Sequence, residues 1–489
     1  RRGHFSPRVA EQALDMFTRR QVGGMGAALG AAALVGCAEP RSFPIDRRFD
    51  LDDLERRTFD WFWDLANPVN GLVPDRWPSK SFCSIAAVGF GLTALPIGVG
   101  GGWISRARAR ERTLATLRFF ADAPQGPEPA GRTGHKGFFY HFIDMEQGRR
   151  FETTELSSID TTLLLGGMLF AAEYFNQGDT GEAEIRQLAH AINDRVDWRW
   201  MLGRGPFVSM GWTPEKGFIP HQWDRYNEAT LLYLLALGSP TFPIPADVWT
   251  RYTREFDKSW GVHWGQEHMH FPPMFGHQYS HVWVDFRGIR DEFMRGKGID
   301  YFENSRRATL SQRAYGADNP NKWNGYSADI WGWTASDGPG GFKRNVNGIE
   351  RQFMGYSARG VSFERVVDDG TIVPTAAGGS IPFAPEVTLP ALMAMKATYG
   401  DQIYTRYGFR DSFNPSFTFT DLESRSGTVH PGVGWVARDH LGIDQGPILA
   451  MLENHRSDLV WKTMRKSPHI RTGVKRLGFT GGWLDQPAR

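Results

Sequence analysis

The chain has 489 residues, 41% hydrophobic and 22% charged, which excludes a disordered polymer and allows one large domain or two ordinary ones. Its formal net charge of +2 comes from the start of the chain. Residues 1–36 hold five Arg and two acids, leaving 51 Lys and Arg against 52 Asp and Glu, a net −1. A body this neutral argues against nucleic-acid and polyphosphate partners. Two cysteines, Cys37 and Cys83, make no disulfide framework and have no zinc-type spacing. The aromatic share of 13%, with 18 Trp, is high, and the flat apolar face of Trp suits the C–H faces of sugar rings.

Residues 1–15 are a charged upstream extension. Thr18-Arg19-Arg20 then precede an uncharged run from Gln21 to Gly36, 16 residues long and short of the roughly 20 that span a bilayer. Paired Arg, a mild apolar run and Leu34-Val35-Gly36-Cys37 describe a twin-arginine lipoprotein export signal, with Cys37 as the lipidated residue. That signal predicts a bacterial lipoprotein, periplasmic or anchored in the outer membrane, touching the membrane through its lipid alone. Residues 38–50 read as a polar tether, and residues 51–489 as a single domain.

Leu54, Thr58, Phe59, Trp61, Phe62 and Leu65 make an amphipathic first helix closed by Asn67-Pro68. Helices follow over 84–95, 106–121, 157–174 and 182–196, and the segment 137–144 reads as a short strand or extended lip. Further helices are expected near 224–237, 246–257, 278–287, 292–314, 385–399 and 444–455. Strand-like runs are few, at 206–210, 217–221 and 361–373. About a dozen helices in adjacent pairs, with long aromatic loops and no sequence repeat, point to an all-α (α/α)6 barrel.

The chain is organised around His221–Pro240. Leu231, Leu232, Leu234, Leu235 and Leu237 form a buried helix stopped by Gly238 and Pro240. Trp223, Asp224, Arg225, Tyr226, Asn227 and Glu228 crowd into the turn before it. Glu228 is the first candidate for a working carboxylate; alternatively it serves the helix dipole while Asp224 or Asn227 caps. Asp160 lies three residues after Ser157, which also suits a capping box, and Glu155 precedes that helix. Glu386 follows Pro385 at a helix start, where an acid is ordinary.

Six blocks carry a resemblance. They are Thr58-Phe-Asp-Trp-Phe-Trp-Asp-Leu-Ala-Asn-Pro68, Glu155-Leu-Ser-Ser-Ile-Asp-Thr161, Tyr226 to Pro240, Phe275-Gly-His-Gln-Tyr-Ser-His281, Pro385-Glu-Val-Thr-Leu-Pro-Ala-Leu392 and Gly442-Ile-Asp-Gln-Gly-Pro-Ile-Leu449. Together they resemble, in order and across residues 52–470, the glucoamylase-like bacterial glycosidases of glycoside hydrolase family 144, which includes endo-β-1,2-glucanases. The resemblance implies an (α/α)6 barrel and an inverting glycosidase working without metal or cofactor. It places one working acid among Glu155 and Asp160 and another at Glu228, and it turns Asp444, otherwise a helix cap, toward the cleft. Inversion needs an acid and a base about 6.5–9.5 Å apart, which separate helix-end loops can supply.

His277 and His281 are four apart, but no HExxH or third ligand accompanies them, so sugar contact is the stronger expectation over metal. Trp212, Trp223, Trp331 and Trp333 are candidate stacking platforms, with core packing the competing role. Arg225, Tyr226, Asp329 and Glu386 complete the expected substrate contacts. The leading expectation is a monomeric inverting endo-β-1,2-glucanase releasing sophoro-oligosaccharides. The alternatives are a glycosidase or transglycosylase of another linkage and a non-catalytic glycan-capturing lipoprotein.

Overall fold

The computed structural model describes residues 50–486, so the export signal, Cys37 and all of the tether but Asp50 lie outside the described residues. The described chain is rich in helix. Leu51–Leu65 (α1) starts on Asp50, whose carboxylate accepts from the Asp52 N–H at 2.9 Å. Ile85–Gly100 (α2) is apolar on every side, and every residue from Ile85 to Gly98 is buried. Thr180–Asp194 (α5) packs on both Arg106–Asp122 (α3) and the equally buried Ser158–Tyr174 (α4). An all-round apolar helix is one that other helices enclose.

Four more helices continue that buried set: Thr230–Gly238 (α6), Tyr279–Trp283 (α7), Pro374–Gly378 (α9) and Gly442–Ser457 (α11). Tyr301–Asp318 (α8) and Pro385–Tyr399 (α10) are more exposed helices of the same bundle. Helix α2 packs between α4 and α11, α4 continues the contact to α6, and α9 lies on α11. At the α2–α4 crossing the backbones touch. A Cβ on Gly89 would lie 2.2 Å from the Leu163 carbonyl oxygen, and one on Gly167 would lie 2.0 Å from that of Gly89.

Three buried helices share one kind of entrance. Cys83–Ser84 (β2), Leu156–Ser157 (β4) and His440–Leu441 (β6) each run straight into α2, α4 and α11. They pair respectively with Phe142–Ile143 (β3), Gly211–Thr213 (β5) and Arg76–Trp77 (β1). The Ser84 and Ser157 hydroxyls accept the N–H groups of Ala87 and Asp160 at the first turns. A short ladder and a serine cap therefore fix where each of these two helices begins.

Several expectations need correction. The helix expected over 224–237 begins only at Thr230, because Asn227 bends the chain first, its Oδ1 accepting from the Ala229 N–H at 2.9 Å. The one expected over 292–314 is two helices, Glu292–Lys297 and Tyr301–Asp318, parted by left-handed Gly298 and restarted on Asp300. The all-α description also missed many two- and three-stranded ladders, including the entrances above. Strands two to four residues long carry no alternation that a sequence can display. Among the described residues no helix is long and apolar enough to cross a membrane.

Candidate active site

The first turns of the buried helices converge on a cavity whose polar lining is His141, Asp160, Glu228, Tyr279, Tyr356 and Asp444. Three acids from three different helix entrances thus face one space.

Glu228 lies in the turn two residues before α6. Ser280 clamps that turn: its Oγ donates to the Glu228 carbonyl at 2.7 Å and accepts from the Leu231 N–H at 2.9 Å. The carboxyl itself is only 5% exposed, and its Oε2 meets no hydrogen-bond partner. Burial pushes its pKa up to about 8, with the nearby Asp160 carboxylate acting in the same direction. The group therefore holds its proton near neutrality. It is not the cap of α6, whose first free N–H groups are met by Asn227 and Ser280.

Asp160 sits in the first turn of α4. Its Oδ2 accepts from the Ser157 hydroxyl at 2.5 Å, while that hydroxyl accepts from the Asp160 N–H at 3.1 Å. The capping geometry expected from the sequence is present, in the same residue that lines the cavity. His141 lies 3.4 Å from the other oxygen through Nε2, and its Nδ1 is 3.0 Å from Glu155 Oε1. Glu155 thus reaches the site through His141 and is absent from the cavity lining. His141 itself had no local signal: it stands 14 residues from Glu155, and the bridge of Tyr140 to Leu156, with the His141 N–H donating to the Glu155 carbonyl at 2.9 Å, brings it to the entrance of α4.

Asp444 enters from the first turn of α11, 2% exposed. Behind it is Asp411, 1% exposed and in hydrogen-bonding contact with it. Burial, then Asp444 and Asp337, push the Asp411 carboxyl well above the usual range. Arg76 closes the group, with Nη1 2.8 Å from Asp337 Oδ2 and Nε 3.1 Å from Asp75 Oδ2. Tyr279 stands among the acids. Burial first, and then the charges of Asp444, Glu228 and Asp160, push its phenol up, so it remains a neutral O–H.

Most of the expected substrate contacts are packing. Trp223 is 2% exposed and donates Nε1–H to Ser158 Oγ at 2.9 Å, bracing the start of α4. Trp331 and Trp333 are fully buried, and Trp333 donates to the Tyr326 hydroxyl at 2.9 Å. A ring with no exposed face cannot stack on a sugar. Tyr226 hydrogen-bonds with His277 at 3.1 Å and His281 with Ser305 at 3.1 Å, all of them buried. Trp212 pairs across the ladder with Leu156, on the strand face away from Glu155, and packs on His135 and Trp200. Arg225 is half-buried and in the field of Asp224 and Glu364. Asp329 is exposed away from the cavity, and Glu386 is an exposed partner of Arg306 at 2.5 Å. Among the described residues, no three His, Cys, Asp or Glu side chains converge as metal ligands would.

A family model described as "Putative glucoamylase" matches residues 220–468, half of the chain and the part that carries Glu228, Asp411 and Asp444. The chain belongs to this glucoamylase-like family. Family relatives include the exo beta-1,2-glucooligosaccharide sophorohydrolase (non-reducing end) of Parabacteroides distasonis, 26% identical over 468 residues. That match takes in 89% of this chain and 58% of the relative, so the chain spans little more than half of that protein. Among solved structures, a "putative glucoamylase" from Bacteroides uniformis is 29% identical with a TM-score of 0.74, covering 91% of this chain and 100% of its own. The endo-beta-1,2-glucanase of Chitinophaga pinensis, in complex with sophorotriose and glucose, is 27% identical with a TM-score of 0.70, covering 88% of this chain and 98% of its own.

Proposed function

We propose that the protein is an inverting glycoside hydrolase of β-1,2-glucan, with Glu228 as general acid and Asp444 as general base. One observation carries the assignment: Glu228 is buried with its carboxyl raised to about 8, in the same cavity as an acid from a separate helix. Glu228 gives its proton to the leaving glycosidic oxygen as the C–O bond breaks. Asp444 takes a proton from a water whose oxygen attacks the anomeric carbon from the opposite face, inverting it. Solvent returns both groups to their starting states. Asp160, with one oxygen on Ser157 and the other beside His141, is assigned to raising and orienting the acid.

The linkage is supported by the names of the Parabacteroides distasonis and Chitinophaga pinensis relatives. Endo cleavage is supported by the name of the Chitinophaga pinensis relative, an endo-beta-1,2-glucanase. The alternation of enclosed helices (α2, α4, α6, α7, α9, α11) with outer ones supports the (α/α)6 barrel as the architecture. The order Arg19-Arg20, uncharged run and Cys37 supports export and a lipid anchor. The test is hydrolysis of β-1,2-glucan followed by NMR of the first-formed reducing ends. Fresh α-anomers and short oligosaccharides of several lengths are expected. β-anomers would overturn inversion, sophorose alone would overturn endo action, and turnover of another glucan in preference would overturn the linkage.

A further inference from the structure

Asp411 is not part of the cavity lining, and the acid–base scheme above leaves it unused. Its carboxyl is 1% exposed. Oδ2 accepts from the Asp337 N–H at 2.7 Å and lies 3.2 Å from the Ser412 hydroxyl, which also donates to the Asp337 carbonyl at 2.8 Å. Oδ1 is buried and receives no N–H or hydroxyl proton. That leaves Oδ1 for the contact with the Asp444 carboxyl.

The charged groups around Asp411 include Asp337, Asp439, Asp444, Arg76 and Arg359. Neither cation pairs with it directly. Arg76 is engaged by Asp337 and Asp75, and Arg359, fully buried, places Nε and Nη2 each 2.8 Å from Asp369. Two touching buried carboxyls, with both nearby cations paired to other acids, do not both ionise, so they share one proton. Of the two, Asp411 is sealed behind Asp337 and Ser412, whereas Asp444 lines the cavity.

We propose that Asp411 is a positioning residue for Asp444: it holds the shared proton and donates it as a hydrogen bond, keeping Asp444 ionised and aimed into the cavity. A donor to the charged form lowers the proton affinity of that carboxylate and fixes its rotamer. A base held this way works at lower pH than its burial alone would allow. No net proton enters or leaves through Asp411 during turnover. The inference rests on the assignment of Asp444 as base.

An amide reproduces a protonated carboxyl, with one acceptor for Asp337 and Ser412 and one N–H donor for Asp444. D411N is therefore expected to keep kcat within a few-fold of the parent, with the acid limb of its kcat/KM–pH profile in place. D411A removes the donor and should lose kcat about 10–100-fold, with KM little changed and the acid limb moved up by about one pH unit. D411L, which keeps the outline without the donor, serves if D411A does not fold. A folded D411N as impaired as the apolar variant would show that the negative charge of Asp411 is what matters, overturning the proposal. So would an acid limb that stays put in the apolar variant. D444N is run alongside. If it retains turnover, the base assignment fails and this inference with it; if it is inactive while the Asp411 variants miss their expected pattern, only this inference fails.

Discussion

Replacing Glu228 by Gln separates catalysis from stability: the variant should lose turnover while gaining stability on the parent as pH rises. Glu228 is 5% exposed and its carboxyl is raised from 4.5 to about 8. Between those values the folded protein binds a proton that the unfolded chain has released. Stability from this group is therefore present at pH 4.5 and below, and is lost as pH rises toward 8. The rate of loss is up to about 1.4 kcal/mol per pH unit. By pH 7 the accumulated cost is about 3 kcal/mol, to order of magnitude. Gln does not titrate, so Glu228→Gln removes this slope whatever its effect at a single pH. Denaturant midpoints for both proteins at pH 5, 6, 7 and 8 give the difference. The variant should gain on the parent at every step. On β-1,2-glucan the same variant should lose kcat at least about a hundredfold, since it has no proton to give. A flat stability difference from pH 5 to 8 would refute the buried, protonated state of Glu228. A variant that turns over normally would refute its role as acid.

Gly89→Ala should destabilise the protein by about 1–3 kcal/mol or more, because its Cβ would lie 2.2 Å from the Leu163 carbonyl oxygen where two backbones meet; chemical denaturation reads it. Burial holds His281 neutral in the fold, down to about 3 from an ordinary 6.5. As pH falls below 6.5 the unfolded chain gains a proton there that the folded chain refuses, so stability from this group is lost from pH 6.5 toward 3. Relative to His281→Asn, the parent should lose up to about 1.4 kcal/mol per pH unit in that window, and equal slopes would contradict it. Cys37→Ser should move the protein from the membrane to the soluble fraction of the producing cell, and a variant still pelleting with membranes would refute the lipid anchor.

The sequence by itself determined several of the long helices, where an apolar run marks them: 385–399 is a helix from Pro385 to Tyr399, as the pattern predicts. It also marked Asp160, Glu228 and Asp444 as acids at helix starts, which is a local property, and all three line the cavity. Which Trp is a platform and which is core was decided only in three dimensions. Trp331 and Trp333 look identical in sequence whether a neighbouring segment covers them or not, and here both are covered. His141 and Asp411 had no signal at all, since Glu155 and Asp444 lie 14 and 33 positions from them and are brought near by the short pairings of Tyr140 with Leu156 and of 413–414 with 435–436. The protonation of Glu228 belongs to the tertiary structure as well. A carboxyl's pKa is set by the water removed from it and the charges placed beside it, and neither is written in its own residue type.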